Sequence, residues 1–159
     1  MPLSEKIVGT HFRYPDSYVV EREKVREYAT AVKNDDAPFF SEAAAEELGY
    51  EGLLAPLTFI SLLGYRAQWA FFEAANIGIT DSKIVHVDQE LRFTRPIKMG
   101  DTLYCDVYVD AVRQAHGTDI IVTKNLITNQ DGVLVQETYT TLAGRSEEDG
   151  ESGFSDDTA

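Results

Sequence analysis

Residues 53–75 are almost wholly apolar, and from residue 83 to residue 143 the chain then reads with a period of two. That pairing constrains the fold more than any other feature. A helix opening at Ala55-Pro56 and running to Asn76, about five turns, carries apolar side chains on nearly every side, since proline is tolerated in a first helical turn. Such a helix has to be wrapped by other structure. Arg66, Gln68 and Glu73 lie within the run, and ionised groups are expensive at bilayer depth, so the expectation is a helix buried in protein, with no membrane span.

The alternating part supplies the wrapper. Val85, Val87, Leu91 and Phe93 are expected to face one way, followed by Leu103, Cys105, Val107 and Val109, with turn signals at Met99-Gly100-Asp101, His116-Gly117 and Gln130-Asp131-Gly132. Runs over 119–128 and 133–142 complete about four long antiparallel strands, and their short connections predict hairpins in a meander with one buried face. Upstream, Val25, Tyr28, Ala29 and Val32 predict an amphipathic helix over 21–32. Asn34-Asp35-Asp36-Ala37-Pro38 breaks it, and a short helix over 41–48 opens at Ser41 and stops at Gly49. Helices, one long buried helix, then a curling sheet make an α+β fold in which a twisted antiparallel sheet wraps a central helix, the hot-dog fold.

With 43% hydrophobic and 11% aromatic residues, 159 residues can close one core. Asp and Glu number 27 against 14 Lys and Arg, for a net charge of -13. That balance excludes the electrostatic footprint of a binder of nucleic acid or of anionic membranes. Six of the acids (Glu147, Glu148, Asp149, Glu151, Asp156, Asp157) fall after Arg145, which leaves -7 for residues 1–145. The expected organisation is therefore one domain over 1–145 and an acidic, disordered tail over 146–159. A single cysteine and no basic-then-apolar leader point to a reducing, cytoplasmic location.

The residues give little support to catalysis. His11 sits in an irregular stretch, His116 in a turn, and His86 lies two residues from Asp88 on one strand, a spacing that suits an oriented base but arises often by chance. No spacing of His, Cys, Asp or Glu suits a metal, no glycine motif suits a phosphate, and no cofactor is expected. Cys105 shares the apolar phase of its strand and is read as core, and Ser61 has no basic partner at helical spacing.

Four stretches do carry a resemblance. Gln89-Glu90-Leu91-Arg92-Phe93-Thr94-Arg95-Pro96-Ile97-Lys98-Met99-Gly100-Asp101-Thr102-Leu103 resembles the strand and turn of the MaoC-like hot-dog dehydratases and (R)-specific hydratases. Arg13-Tyr14-Pro15-Asp16, the overhang Ala55-Pro56-Leu57-Thr58-Phe59, and the stretch from Asp106 through His116-Gly117 to Thr123-Lys124-Asn125 are similar to the A subunits of mycobacterial-type (3R)-hydroxyacyl-ACP dehydratases. The family's reaction is the reversible loss of water from a (3R)-3-hydroxyacyl thioester to give a trans-2-enoyl thioester. It needs one group to exchange the α-proton, one to protonate the leaving hydroxyl, and donors for the thioester oxygen.

The family supplies the first two groups as Asp and His of D-x-N-P-x-H. Aligned on the proline, this chain keeps Asp35 but has Ala37 for the asparagine and Phe40 for the histidine. Phenylalanine holds no proton, so the motif is degenerate and no catalytic residue is assigned. The family's His-Gly at the head of the central helix falls on Pro56-Leu57. The resemblance implies a division of labour within a heterodimer. A catalytic hot-dog subunit carrying D-x-N-x-x-H acts on an acyl carrier protein thioester, and this chain holds the acyl tail. The residues expected to bind it are Pro56, Leu57, Thr58, Phe59, Ser61, Gly64, Tyr65, Gln68, Trp69 and Phe72. The alternatives are a self-sufficient homodimeric (R)-specific enoyl hydratase using Asp35 with His86, and a non-enzymatic acyl-binding hot-dog protein.

Overall fold

The computed structural model describes residues 6–80, 83–146 and 153–156. Two short strands, β1 (His11–Arg13) and β2 (Tyr18–Val19), lead into α1 (Arg22–Ala31), a 3-10 turn (Ala37–Phe39) and α2 (Glu42–Glu47). The helix α2 begins and ends where its sequence says it should. Ser41 accepts a hydrogen bond from the Ala44 N–H at 3.3 Å as its N-cap, and Gly49 turns away with φ +88°.

The central helix is shorter than expected. Its first turn, Leu57–Ile60, is 3-10, and the α-helix proper, α3, is Ser61–Ala74. Leu63, Ala67 and Phe71, spaced by four, are buried and press on the alternately buried Leu103, Cys105, Val107 and Val109 of β5 (Thr102–Ala115). Each large apolar side chain removed from water there contributes roughly 1.5–3 kcal/mol. Cys105 is fully buried, which bears out its reading as core, and burial pushes its thiol up to about 12.

The remaining elements are β3 (Ile77–Ile79), β4 (Ile84–Phe93), β6 (Thr118–Thr128), β7 (Leu134–Arg145) and β8 (Phe154–Asp156). The main sheet is antiparallel with order β1-β5-β6-β7-β4, and β2 pairs with the same edge of β5 as β1 does. This is the hot-dog arrangement. His116 and Gly117, with φ of +51° and +71°, make the β5–β6 turn from two left-handed residues, whose twist matches the strands it joins.

Three expectations need correction. The strands do not form a simple meander, because β4 pairs with β7 and not with its sequence neighbour β5. The connection between them is held elsewhere: Ala55 N–H donates to Ile97 O, and Met99 N–H donates to Leu53 O, each at 2.8 Å. Next, Val85 and Val87 do not share a buried face with Leu91. A register shift between His86 and Asp88 inserts a residue, so the valines are 64% and 59% exposed while His86 turns inward. Finally, the tail is ordered at 153–156. There β8 pairs with β3, and Phe154, 4% exposed, packs over Gly144, where a β-carbon would stand 2.8 Å from the ring. The acids from 147 to 151 lie outside the described residues.

Candidate functional site

Because α3 leans on β5, it leaves space on its other side. The concave faces of β6, β7 and β4 curl past it and enclose a cavity of about 450 Å³. Six of the expected tail-binding residues, Ser61, Gly64, Tyr65, Gln68, Trp69 and Phe72, line it from the helix. Their spacing by three and four places them on one face, and Ser61 and Gly64 are the small residues that hold it open. Ile84, Leu91 and Leu142 line the sheet side, with Asn125, Thr138 and Thr140 between. Among the described residues no Asp, Glu, Lys or Arg is on the lining, so the cavity suits an uncharged occupant.

The other four expected residues are placed elsewhere. Phe59 is 1% exposed, its ring edge-on to Tyr18 and Tyr28 in the core. Thr58 is exposed and accepts the Tyr28 hydroxyl proton at its own carbonyl oxygen (2.9 Å) and Oγ1 (2.8 Å). Pro56 and Leu57 border a second cavity of about 340 Å³, together with Phe39, Tyr50, Phe93 and Arg95. The reason is the 3-10 turn over Leu57–Ile60: at about three residues per turn its side chains fall out of phase with those of α3.

Of the segment 35–40, only Phe39 borders this second cavity. The Ala37–Phe39 turn is tied to the overhang by Leu54 N–H donating to Pro38 O at 3.1 Å, and Phe40 follows it, half-buried. Asp35 is exposed and lines neither cavity, and it is Asn34 whose side chain accepts the turn hydrogen bond, from Asp36 N–H at 3.2 Å. His86 lines the first cavity, and its Nε2 lies 3.1 Å from the backbone oxygen of Asp88 and not from a carboxylate. Asp35 and His86 are therefore not brought together as an acid–base pair. His11 is exposed and paired with Asp106 at 2.7 Å, stacked on Tyr108. Among the described residues no group of three His, Cys, Asp or Glu could hold a metal ion, and no helix is long and apolar enough to cross a membrane.

The residues that sequence reasoning missed are those of the cavity floor. Asn125 of β6 and Thr138 and Thr140 of β7 line it, and Thr123 of β6 lies buried beneath Gln68, each alternating with half-buried positions. Their signal was present, since Thr123 and Asn125 occupy the same strand phase as Ile121 and Ile127.

Residues 6–138 match the model of the FAS1-like, dehydratase domain region. A UPF0336 protein of Mycobacterium tuberculosis is 68% identical over 159 residues, covering all of both chains, and a second from that organism is 47% identical over 145 residues, 91% of this chain and 87% of its own. Among solved structures, C-terminally truncated HadBC, a (3R)-hydroxyacyl-ACP dehydratase complex from Mycobacterium tuberculosis, superposes with a TM-score of 0.81 at 47% identity, covering 89% of this chain and 100% of that one. A MaoC-like dehydratase superposes at 0.82 with 35% identity, covering 91% of this chain and 44% of that one.

Proposed function

Starting from the fact that this chain belongs to the FAS1-like dehydratase family, we propose that it is the acyl-chain-binding, catalytically degenerate subunit of a heteromeric (3R)-3-hydroxyacyl-ACP dehydratase serving type II fatty-acid elongation of the mycolic-acid type. One observation carries the reading. Phe40 stands at the motif's proton-transfer position, while a 450 Å³ uncharged cavity lies open along the central helix. The chain has room for a tail and lacks the groups for the reaction.

On this reading the α-proton and the leaving hydroxyl are handled by the Asp and His of a second hot-dog subunit, in the cytoplasm. The HadBC complex, built of more than one subunit, supports a hot-dog partner. This chain's part is to fix the thioester by its tail, so that the reacting carbons are presented at constant distance from the partner's acid and base. Binding remote from the reacting bond lowers the barrier by orienting it. The acyl carrier protein, acidic as a class, docks mainly on the partner, because a chain of net charge -13 repels a like-signed surface.

The test is reconstitution. The chain is co-expressed with hot-dog subunits that carry D-x-N-x-x-H, purified by size exclusion, and assayed with (3R)-hydroxyacyl thioesters of increasing length. The expected result is a stable heteromer whose kcat/KM rises with chain length. A complex whose kcat/KM ignores chain length would reject the tail-binding role.

A further inference from the structure

The first cavity is apolar at its walls and polar at its floor, and three of its polar groups are already paired with neighbours. Gln68 Nε2 donates to Thr123 Oγ1 at 3.1 Å, and Thr140 Oγ1 donates to Gln89 Oε1 at 3.1 Å, while Gln89 Nε2 donates to the Tyr139 carbonyl at 3.0 Å. Asn125 is different. Its side chain is 3% exposed and lines the cavity, and its Oδ1 has no hydrogen-bond partner among the described residues. Gly64 of α3 stands over it: a β-carbon there would lie 3.6 Å from Asn125 Nδ2, so any longer side chain would cover the amide. Glycine leaves the Nδ2 end of the amide uncovered.

An alkyl chain filling this space would offer the amide no partner, and a buried carbonyl left unpaired costs more than a typical hydrogen bond gains. An anionic group is no better suited, since among the described residues the lining holds no Lys or Arg, and its one imidazole, His86, lies against the Asp88 carbonyl. A hydroxyl group both donates and accepts, and so pairs with the amide whichever way the amide is turned.

Resting on the reading of this cavity as the tail site, we propose that the acyl chain it accepts carries a hydroxyl in its tail, placed to meet Asn125. This hydroxyl is separate from the one that leaves at C3, which belongs at the partner's acid and base. Asn125 is then a specificity-determining residue that selects oxygenated chains over plain ones of equal length.

Trp69 is the only tryptophan of the chain and lines the cavity, so its fluorescence reports occupancy directly. The full chain is titrated with octadecanoic acid and with a series of its mid-chain hydroxy isomers. The expected result is that one isomer binds about fivefold more tightly than the parent acid, the size of one net hydrogen bond, and that isomers hydroxylated a few carbons away do not. Asn125→Leu should reverse the order, so that the parent acid binds best. Gly64→Val, which covers the amide without removing it, should abolish the preference. A melting curve accompanies each variant, and if Asn125→Leu fails to fold the isomer series on the unaltered chain decides alone. Equal affinity for every isomer and the parent overturns the role of Asn125 while leaving the tail site standing. Absence of binding by every chain overturns the tail site and this inference together.

Discussion

The two cavities lie on opposite sides of the entry to α3, and they differ in kind. The smaller, at the overhang, is bordered by Phe39, Tyr50, Pro56, Leu57 and Phe93. The larger lies along α3, with a polar floor and, among the described residues, no carboxylate. Among the described residues the first is bordered by Tyr50 and Arg95 and the second by His86, and neither lining holds a carboxylate. On the proposed reading, one hot-dog unit keeps two separable jobs in two places. A chain can give up the chemistry of one without disturbing the packing that shapes the other, because Ala37 and Phe40 sit on a turn outside the α3–β5 core.

The most severe test of that contrast is activity. The purified chain alone should show no turnover of (3R)-hydroxyacyl or enoyl thioesters, since each missing acid–base group is worth about 10²–10⁴-fold. Enzyme-like turnover by the isolated chain, abolished by Asp35→Asn or His86→Ala, would break the comparison outright. The next test asks whether a third reactive group hides in the concave face. With its thiol held near 12 against an ordinary 9.0, Cys105 should have a thiolate population about a thousandfold below that of a free thiol, and so resist alkylation at pH 8 until the chain is unfolded. The same shift makes the folded state favoured while the thiol is protonated. That contribution is complete below pH 9 and drains away as pH climbs toward 12, which a denaturation midpoint measured across that range would register.

Ser61→Phe sharpens the comparison from the side of the large cavity. Ser61 is exposed and lines that cavity, so the ring enters open space and does not overpack a core. Loss of about tenfold in kcat/KM for long acyl chains is expected in the reconstituted complex, with short chains near normal and stability changed by less than about 1 kcal/mol. Equal loss at every length would merge the two regions into one. The smallest effect is expected at the other cavity: Leu57 is 62% exposed, so Leu57→Ala should move the stability of the chain by no more than about 0.5 kcal/mol. If the partner covers this corner, the same change should weaken subunit association, measurable as a higher Kd by sedimentation.

Features that rest on local rules were readable from the chain alone. Ser41 and Gly49 bounded α2, His116-Gly117 marked a hairpin, and the all-round apolar run announced α3 with six residues of its cavity face. Features that rest on partners distant in sequence were not. The phase of β4 flips at one inserted residue between His86 and Asp88, and period-two reading carries no sign of such an insertion. β8 escaped notice because three residues in an acidic stretch show no periodicity, and only pairing with the distant β3 makes them a strand. The floor of the cavity was hidden for another reason. Thr and Asn in a buried phase look like weak strand, and their burial makes sense only once a cavity is known to lie above them.

The strand order also fixes a sequence of events in time. β5, β6 and β7 are joined by short turns, so their pairing closes small loops and can form early. β4 must wait, because it docks on β7 only after the two hairpins between them exist, and β1 reaches β5 across some ninety residues, His11 meeting Tyr108. Ile84, His86, Gln89 and Leu91 of β4 form one wall of the large cavity. The cavity is thus complete only when β4 has docked, so a ligand that fills the face of Trp69 and Phe72 should favour the docked strand over the undocked one.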